Sequence, residues 1–419
     1  MVYRSRVLDA ELESRLRSAG AVLVEGPKAC GKTETARRHA ASEVLLDVDA
    51  NARAALDVDP MIVLDGPTPR LVDEWQLAPD VIWNQVRRLV DERTSPGQFI
   101  LTGSAAPDDN PRRHSGAGRF ATLRMRPMSL FELGRSTGEI SIRALLTGAP
   151  EVRSGETGLD VTAMSELVSV GGWPANLGLT TDDALQANRD YLTQIEQVDI
   201  SLVHDSRRDP RRIGRLIRSL ARNVATEVSV SLLAADAAEP GDAALARTTV
   251  YDYLSVLERL MLVEDQPAWS VHLRSAATLR KRAKRHFVDP SLAVAALAAS
   301  PARLLDDLNA FGFLFESLVV RDLRVLTAPL GGNVSHYRDS NGVEVDAIVT
   351  LPGGEWAAFE VKLGVGQIDA AADSLHHFMQ QIDTTKCGEP ALLGVITVAG
   401  FGYTRSDGIS VIPVGALAP

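Results

Sequence analysis

The chain has 419 residues, 45% hydrophobic and 23% charged, which is material for about two to four globular domains and excludes wholesale disorder or a fibrous repeat. Two cysteines, Cys30 and Cys387, exclude a disulfide framework or a cysteine-held zinc site, and no apolar run approaches the ~20 residues of a membrane span, so the sequence reads as a reduced, cytoplasmic protein without a membrane partner. A net charge of −10 excludes a uniformly basic nucleic-acid coat but leaves room for local basic patches.

From about residue 20 to 130, short β-branched runs at 21–25, 43–48, 70–73 and 98–102 alternate with helical stretches. That is the pattern of βαβ units on a parallel sheet. After the first run, Gly26-Pro27-Lys28-Ala29-Cys30-Gly31-Lys32-Thr33 fits G-x-x-x-x-G-K-[ST], and a helical stretch opens at Glu34. In that context the glycines let the backbone wrap a phosphate, and loop N–H groups and the helix N-terminus face the anion. Gly26 to Glu34 are the expected nucleotide-binding residues, with ATP as ligand. Lys32 is expected to reach the β- and γ-phosphates and Thr33 to ligate Mg²⁺. The third run ends in Asp73-Glu74, where Asp73 would bind Mg²⁺ through water and Glu74 would polarise the attacking water. Ser104, or Thr102, ends the fourth run and is placed to sense the γ-phosphate or orient that water. Arg119, in the glycine-rich stretch 116–120, has the form of an arginine finger donated across a subunit boundary in a homo-oligomer; an ordinary surface arginine has the same form. Modification of Cys30, inside the loop, would block nucleotide.

At this point the chain resembles the prokaryotic AAA-like ATPases that carry a C-terminal domain of unknown function, related to the archaeal ATPases. The residues that carry the resemblance are GPKACGKT at 26–33, LDVD at 46–49, RLVDEWQ at 70–76, FILTGSA at 99–105, GAGRF at 116–120 and RPMSLFEL at 126–133. GGWP at 171–174 and YLTQIEQVDI at 191–200 continue it. The resemblance implies ATP binding and hydrolysis through Lys32, Thr33, Asp73 and Glu74.

From about 140 to 300 the pattern is mostly helical. Arg208, Arg211, Arg212, Arg215 and Arg218 recur at helical spacing as a basic stripe, with Ile213, Leu216, Ile217 and Leu220 on another face. Helices at about 229–236 and 246–260 follow. The second contains Thr248–Leu254, which resembles the start of a recognition helix, and Leu262–Glu264 reads as a wing strand. Together they make a winged-helix-like unit at about 205–270. The basic run Arg280–Arg285 lies just beyond and could add phosphate contacts to DNA or another nucleic acid. The competing readings are a solvated face, a helical lid or a dimerisation surface.

Strands return at 334–338, 344–351, 356–362, 391–398 and 409–413. Glu360 and Lys362 share a face, because strand side chains alternate. A turn at Pro352–Gly354 folds Asp346 toward them, and Glu316 lies on the preceding helical stretch. This resembles the D-x(n)-E-x-K core of restriction-endonuclease-like domains. By that resemblance Asp346 and Glu360 hold Mg²⁺ or Mn²⁺, Lys362 orients or activates water, and Glu316 supports the metal. Cross-strand ion pairs would use the same residues. The expected architecture is α/β: a P-loop, AAA-like parallel-sheet domain (1–140), a helical region with the winged-helix-like unit (141–300) and an endonuclease-like α/β domain (301–419). The expected function is a Mg²⁺-dependent ATPase coupled to a nucleic-acid-binding, DNA-cleaving domain. The alternative is an ATP-dependent switch or assembly factor whose C-terminal domain is a non-catalytic scaffold.

Overall fold

A computed structural model describes residues 3–104, 115–148, 152–199, 209–238, 241, 243–270, 282–339 and 341–419. The chain forms two compact units, one built on the residues up to Pro127 together with Ser255–Leu262, the other on the remainder from Met128 onward. No helix among the described residues is long and apolar enough to cross a membrane.

The first unit carries five strands: β1 (Ala21–Glu25), β2 (Ser42–Leu45), β3 (Arg70–Asp73), β4 (Phe99–Gly103) and β5 (Phe120–Arg124). All pair in parallel, in the order β2-β3-β4-β1-β5. The central strands β1 and β4 are buried almost throughout, as a parallel sheet covered on both faces requires, which explains their unbroken AVLV and FILT runs. The strand expected at 43–48 stops at Leu45 because Asp49 caps the next helix, Ala50–Val58, accepting a hydrogen bond from Ala52 N at 3.0 Å. The edge strand β5 was not legible in a stretch that begins as a glycine-rich turn. It is anchored by Phe120 stacked on Trp83, ring centroids 4.1 Å apart.

In the second unit, after the short strand β6 (Ile140–Ser141), the helix Pro210–Arg222 keeps the expected amphipathic pattern, with Ile213, Leu216, Ile217 and Leu220 buried. Arg211 and Arg218 are exposed, Arg215 donates to the Ala237 carbonyl, and Arg208 lies outside the described residues. Helix Val230–Asp236 follows, and helix Arg247–Arg259 begins in this unit and runs into the segment Ser255–Leu262 assigned to the first. Strand β7 (Val263–Gln266) then pairs antiparallel with β8 (Lys284–Phe287), and Thr226 adds a bridge to Arg285. The element order is thus three helices followed by an antiparallel strand pair. The exposed face of helix Arg247–Arg259 carries Arg247, Tyr251, Asp252 and Glu258, so it is not basic.

The motifs RPMSLFEL and GGWP are structural. Gly172 runs so close to Met128 that a Cβ there would meet the Met128 carbonyl oxygen at 2.1 Å, and Met128 N donates to the Gly172 carbonyl at 2.7 Å. Behind them Arg321 bridges Asp289 (2.7 Å) and Asp322 (2.7 Å), and all three side chains are buried. Asp289 also accepts from Gly172 N and Asp322 from Leu130 N, each at 2.9 Å.

Beyond the helix Leu308–Thr327 come β9 (Asn333–Arg338), β10 (Glu344–Thr350) and β11 (Trp356–Lys362), then the helix Ile368–Gln381 and β12 (Leu392–Thr397). Strand β13 (Tyr403–Thr404), unexpected from the sequence, and β14 (Ser410–Pro413) complete a mixed sheet in the order β13-β14-β12-β11-β10-β9. β9, β10 and β11 form an antiparallel meander, while β12 and β14 run parallel to β11. The register of β10 on β9 shifts between Val345 and Ile348, a bulge that falls on Asp346.

Candidate functional site

The loop after β1 needs a left-handed turn. Gly31 has φ +104°, which only glycine adopts without strain, and helix Lys32–His39 starts directly after it. Lys32 is buried and folds its ammonium back on the loop, donating to the carbonyls of Gly26 (2.9 Å) and Pro27 (2.8 Å). Thr33 Oγ1 donates to both oxygens of Asp73, at 3.0 and 3.1 Å, and Thr102 donates to the same carboxylate from the neighbouring strand. Glu74 leaves β3 in the left-handed conformation (φ +54°), which swings it away from the strand's alternation. Its Oε2 then accepts from Ser104 Oγ at 3.3 Å and from Gln76. Loop, Asp73, Glu74, Thr102 and Ser104 thus meet at the C-terminal ends of adjacent strands, where ligands of open α/β sheets bind.

Cys30 does not face that side. Its thiol is fully buried and points at the Met125 carbonyl, 3.9 Å away, so the expected modification has no access. Glu34 is exposed and pairs with Arg37, and Lys28 and Ala29 are exposed on the loop. Arg6, which the sequence reading passed over, is buried behind the loop and donates to the carbonyls of Cys30 (2.9 Å) and Arg126 (2.6 Å). Arg119 stands apart: it precedes Phe120, which pairs with Ala21 at the start of β1, whereas the loop follows the end of β1. That separation is about 15 Å along the strand. Its guanidinium pairs with Asp91 at 2.9 Å and is 40% exposed.

The second cluster lies on β10 and β11. The ladder pairs Ala347 with Phe359, so the next step toward the open end sets Asp346 opposite Glu360 on one face. Lys362 Nζ bridges Glu360 Oε2 (2.6 Å) and Asp346 Oδ2 (3.3 Å), and Ser374 Oγ donates to Glu360 Oε1 at 3.1 Å. Val361 N donates to Asp346 Oδ2 at 2.8 Å. Glu316 does not join them directly; its Oε1 meets Lys284, 2.7 Å away. Lys284 also lies 2.8 Å from Glu344 and 3.7 Å from Asp346 Oδ1. Within the expected basic run Lys284 is corrected: it is 3% exposed and points into carboxylates, not toward a phosphate backbone. Arg285 pairs with Asp265, and the part of the run before Arg282 lies outside the described residues.

Burial pushes Glu360 up to about 7, with Asp346 adding to the shift and Lys362 opposing it. Burial pushes Glu316 up to about 8, reinforced by Asp346 and opposed by Lys284. Burial works to raise Asp346 too, but Lys362, Lys284 and the Val361 N–H hold it below its ordinary value. Burial acts to lower both lysines, and their carboxylate neighbours keep both above the usual range. Asp346, Glu360 and Lys362 line a cleft of about 390 Å³ with Asn341, Glu344, Ser374 and His377. Two facing carboxylates that repel each other suit a hard cation such as Mg²⁺ or Mn²⁺, which often takes one or two carboxylates and completes its shell with water. Among the described residues no group of three or more His, Cys, Asp or Glu is arranged to hold a metal. Period-two spacing could have flagged Glu344; nothing local marks Lys284, Ser374 or His377.

Residues 18–134 match the family described as an AAA domain. Residues 161–303 and 311–417 match two families described as domains of unknown function, DUF8612 and DUF4143. Two mycobacterial proteins, uncharacterized protein Rv2008c of Mycobacterium tuberculosis and uncharacterized protein Mb2031c of Mycobacterium bovis, are each 25% identical over 367 residues, covering 86% of this chain and 74% of theirs. The Walker-type ATPase PABY2304 of Pyrococcus abyssi aligns over 69% of this chain and 94% of its own, with 13% identity and a TM-score of 0.40. The parallel sheet, the phosphate loop and the family match make the N-terminal region an AAA-type P-loop domain that supports ATP binding.

Proposed function

We propose that the chain is a Mg²⁺-dependent ATPase whose second unit acts on nucleic acid, working in the cytoplasm where ATP is supplied. The observation that carries the ATPase reading is the pair of linked contacts Thr33–Asp73 and Glu74–Ser104 beside the loop. Lys32 would leave the loop carbonyls for the phosphates, Thr33 and Asp73 would hold Mg²⁺, and Glu74, steadied by Ser104, would take the proton side of the attacking water. Mg²⁺, when bound, supplies charge neutralisation on the phosphates. A water-directed carboxylate favours hydrolysis over transfer to a small acceptor.

Arg119 lies at the far end of β1 from its own loop, so it would serve only a neighbouring subunit's site in a homo-oligomer. Arg119→Ala is expected to slow hydrolysis by about 10²-fold or more with ATP affinity unchanged. Mixing Arg119→Ala with Glu74→Gln subunits is expected to restore part of the rate. A rate unaffected by Arg119→Ala sinks the idea.

The three-module division, with the second and third modules sharing one compact unit, is also our reading. The order of elements from 308 onward (helix, three-strand meander, helix, parallel strand) supports an endonuclease-like core with Asp346, Glu360 and Lys362 on one face. There Asp346 and Glu360 would hold the divalent ion and Lys362 would orient water, while Glu316 anchors Lys284. The scaffold reading, in which ATP drives a switch, is favoured by one observation: Lys362 and Lys284 already compensate these carboxylates. Labelled single- and double-stranded DNA incubated with Mg²⁺ or Mn²⁺, with and without ATP, separates the two. Cleavage that disappears in Asp346→Ala is expected. Intact DNA beside ongoing ATP hydrolysis replaces cleavage with the scaffold reading.

A further inference from the structure

We propose that Lys284 stands in for a second metal ion, so that the C-terminal cleft takes a single divalent cation, at Asp346 and Glu360. The inference rests on the metal reading of that cleft and adds a residue from outside it. Lys284 comes from β8, in the hairpin that precedes the helix and sheet of the cleft. Its ammonium lies 2.7 Å from Glu316 and 2.8 Å from Glu344, with Asp346 Oδ1 at 3.7 Å. An ammonium carries three donors and no acceptor, and here it faces three carboxylates.

Asp346 presents its two oxygens to two different cations. Oδ1 faces Lys284 and Oδ2 faces Lys362 and the Val361 N–H. Two-metal phosphodiester sites place their ions about 3.5–4 Å apart. In this cleft the Lys284 side of the shared carboxylate already carries a positive charge. That charge is covalently attached, 3% exposed, and cannot dissociate into solvent.

Hairpin residues hold the arrangement: Gln266 Nε2 on β7 donates to the Asp346 carbonyl at 2.9 Å, at the bulge, and His286 on β8 meets Gln266 Oε1 at 3.0 Å.

The test counts bound Mn²⁺ by electron paramagnetic resonance on the full chain, free of nucleotide and carrying Asp73→Asn to silence the P-loop position. The expected count is one ion per chain, falling to none with Asp346→Asn. Lys284→Met is expected to raise the count to two, the new ion on the Oδ1 side of Asp346 that Lys284 faces in the parent. Lys284→Gln serves as the second variant, with the same expectation, should the methionine fail to fold. Two ions in the parent, or one in a folded Lys284 variant, overturns the inference alone. No ion in the parent overturns the metal reading of the cleft and this inference with it.

Discussion

Lys32→Ala is expected to lower ATP turnover by about 10³-fold or more while the melting temperature stays within a few degrees of the parent. Loss of a single donor aimed at developing charge costs about 10²–10³ in rate, and a full positive charge on transferring phosphates is worth at least that. The geometry makes the substitution clean. Both hydrogen bonds of the Lys32 ammonium go to loop carbonyls, those of Gly26 and Pro27. Among the described residues no carboxylate pairs with that charge, which the loop carbonyls hold in place. Phosphate release measured beside thermal melting checks the expectation. Turnover at the parent rate would remove this loop as the ATP site.

The second large effect is on stability. Arg321→Met is expected to cost the second unit about 3–5 kcal/mol, since it strands two buried carboxylates without their shared counter-ion. In a unit of this size that corresponds to a melting transition roughly 10 °C lower. Asp289 and Asp322 are almost completely buried, and burial already pushes Asp322 up against the pull of Arg321. The same carboxylates receive the N–H groups of Gly172 and Leu130, so the loss would loosen the backbone around both GGWP and RPMSLFEL. Adding Asp322→Asn to Arg321→Met removes one stranded charge and should recover part of the loss. Calorimetry showing an unchanged transition in Arg321→Met would mean that the triad contributes nothing net.

The P-loop was legible because all its parts are local: a buried strand, a glycine that must turn left-handed, and a helix that follows at once. Asp73 and Glu74 were legible as a pair, but the left-handed residue that sends them to different partners was not. The C-terminal residues Asp346, Glu360 and Lys362 followed from period-two spacing across one hairpin. Glu316 was placed on the right helix, but its ion partner Lys284 lies 32 residues upstream in a run that reads as surface charge. Arginine- and lysine-rich runs give the same signal whether they face solvent or acids. The resemblance motifs GGWP and RPMSLFEL were legible as motifs only. Their work is a close backbone approach and a buried ion triad, which no spacing rule announces.

Lys284 also bears on where this protein can be divided. A polypeptide that begins at residue 301 would keep Glu316, Glu344, Asp346 and Glu360 with Lys362 alone to answer them, and would lose Gln266 from the bulge that aims Asp346. The segment that looks transferable is electrically incomplete without the preceding hairpin. Insertion, fusion or exchange of this region between proteins therefore has to carry β7 and β8 along with it.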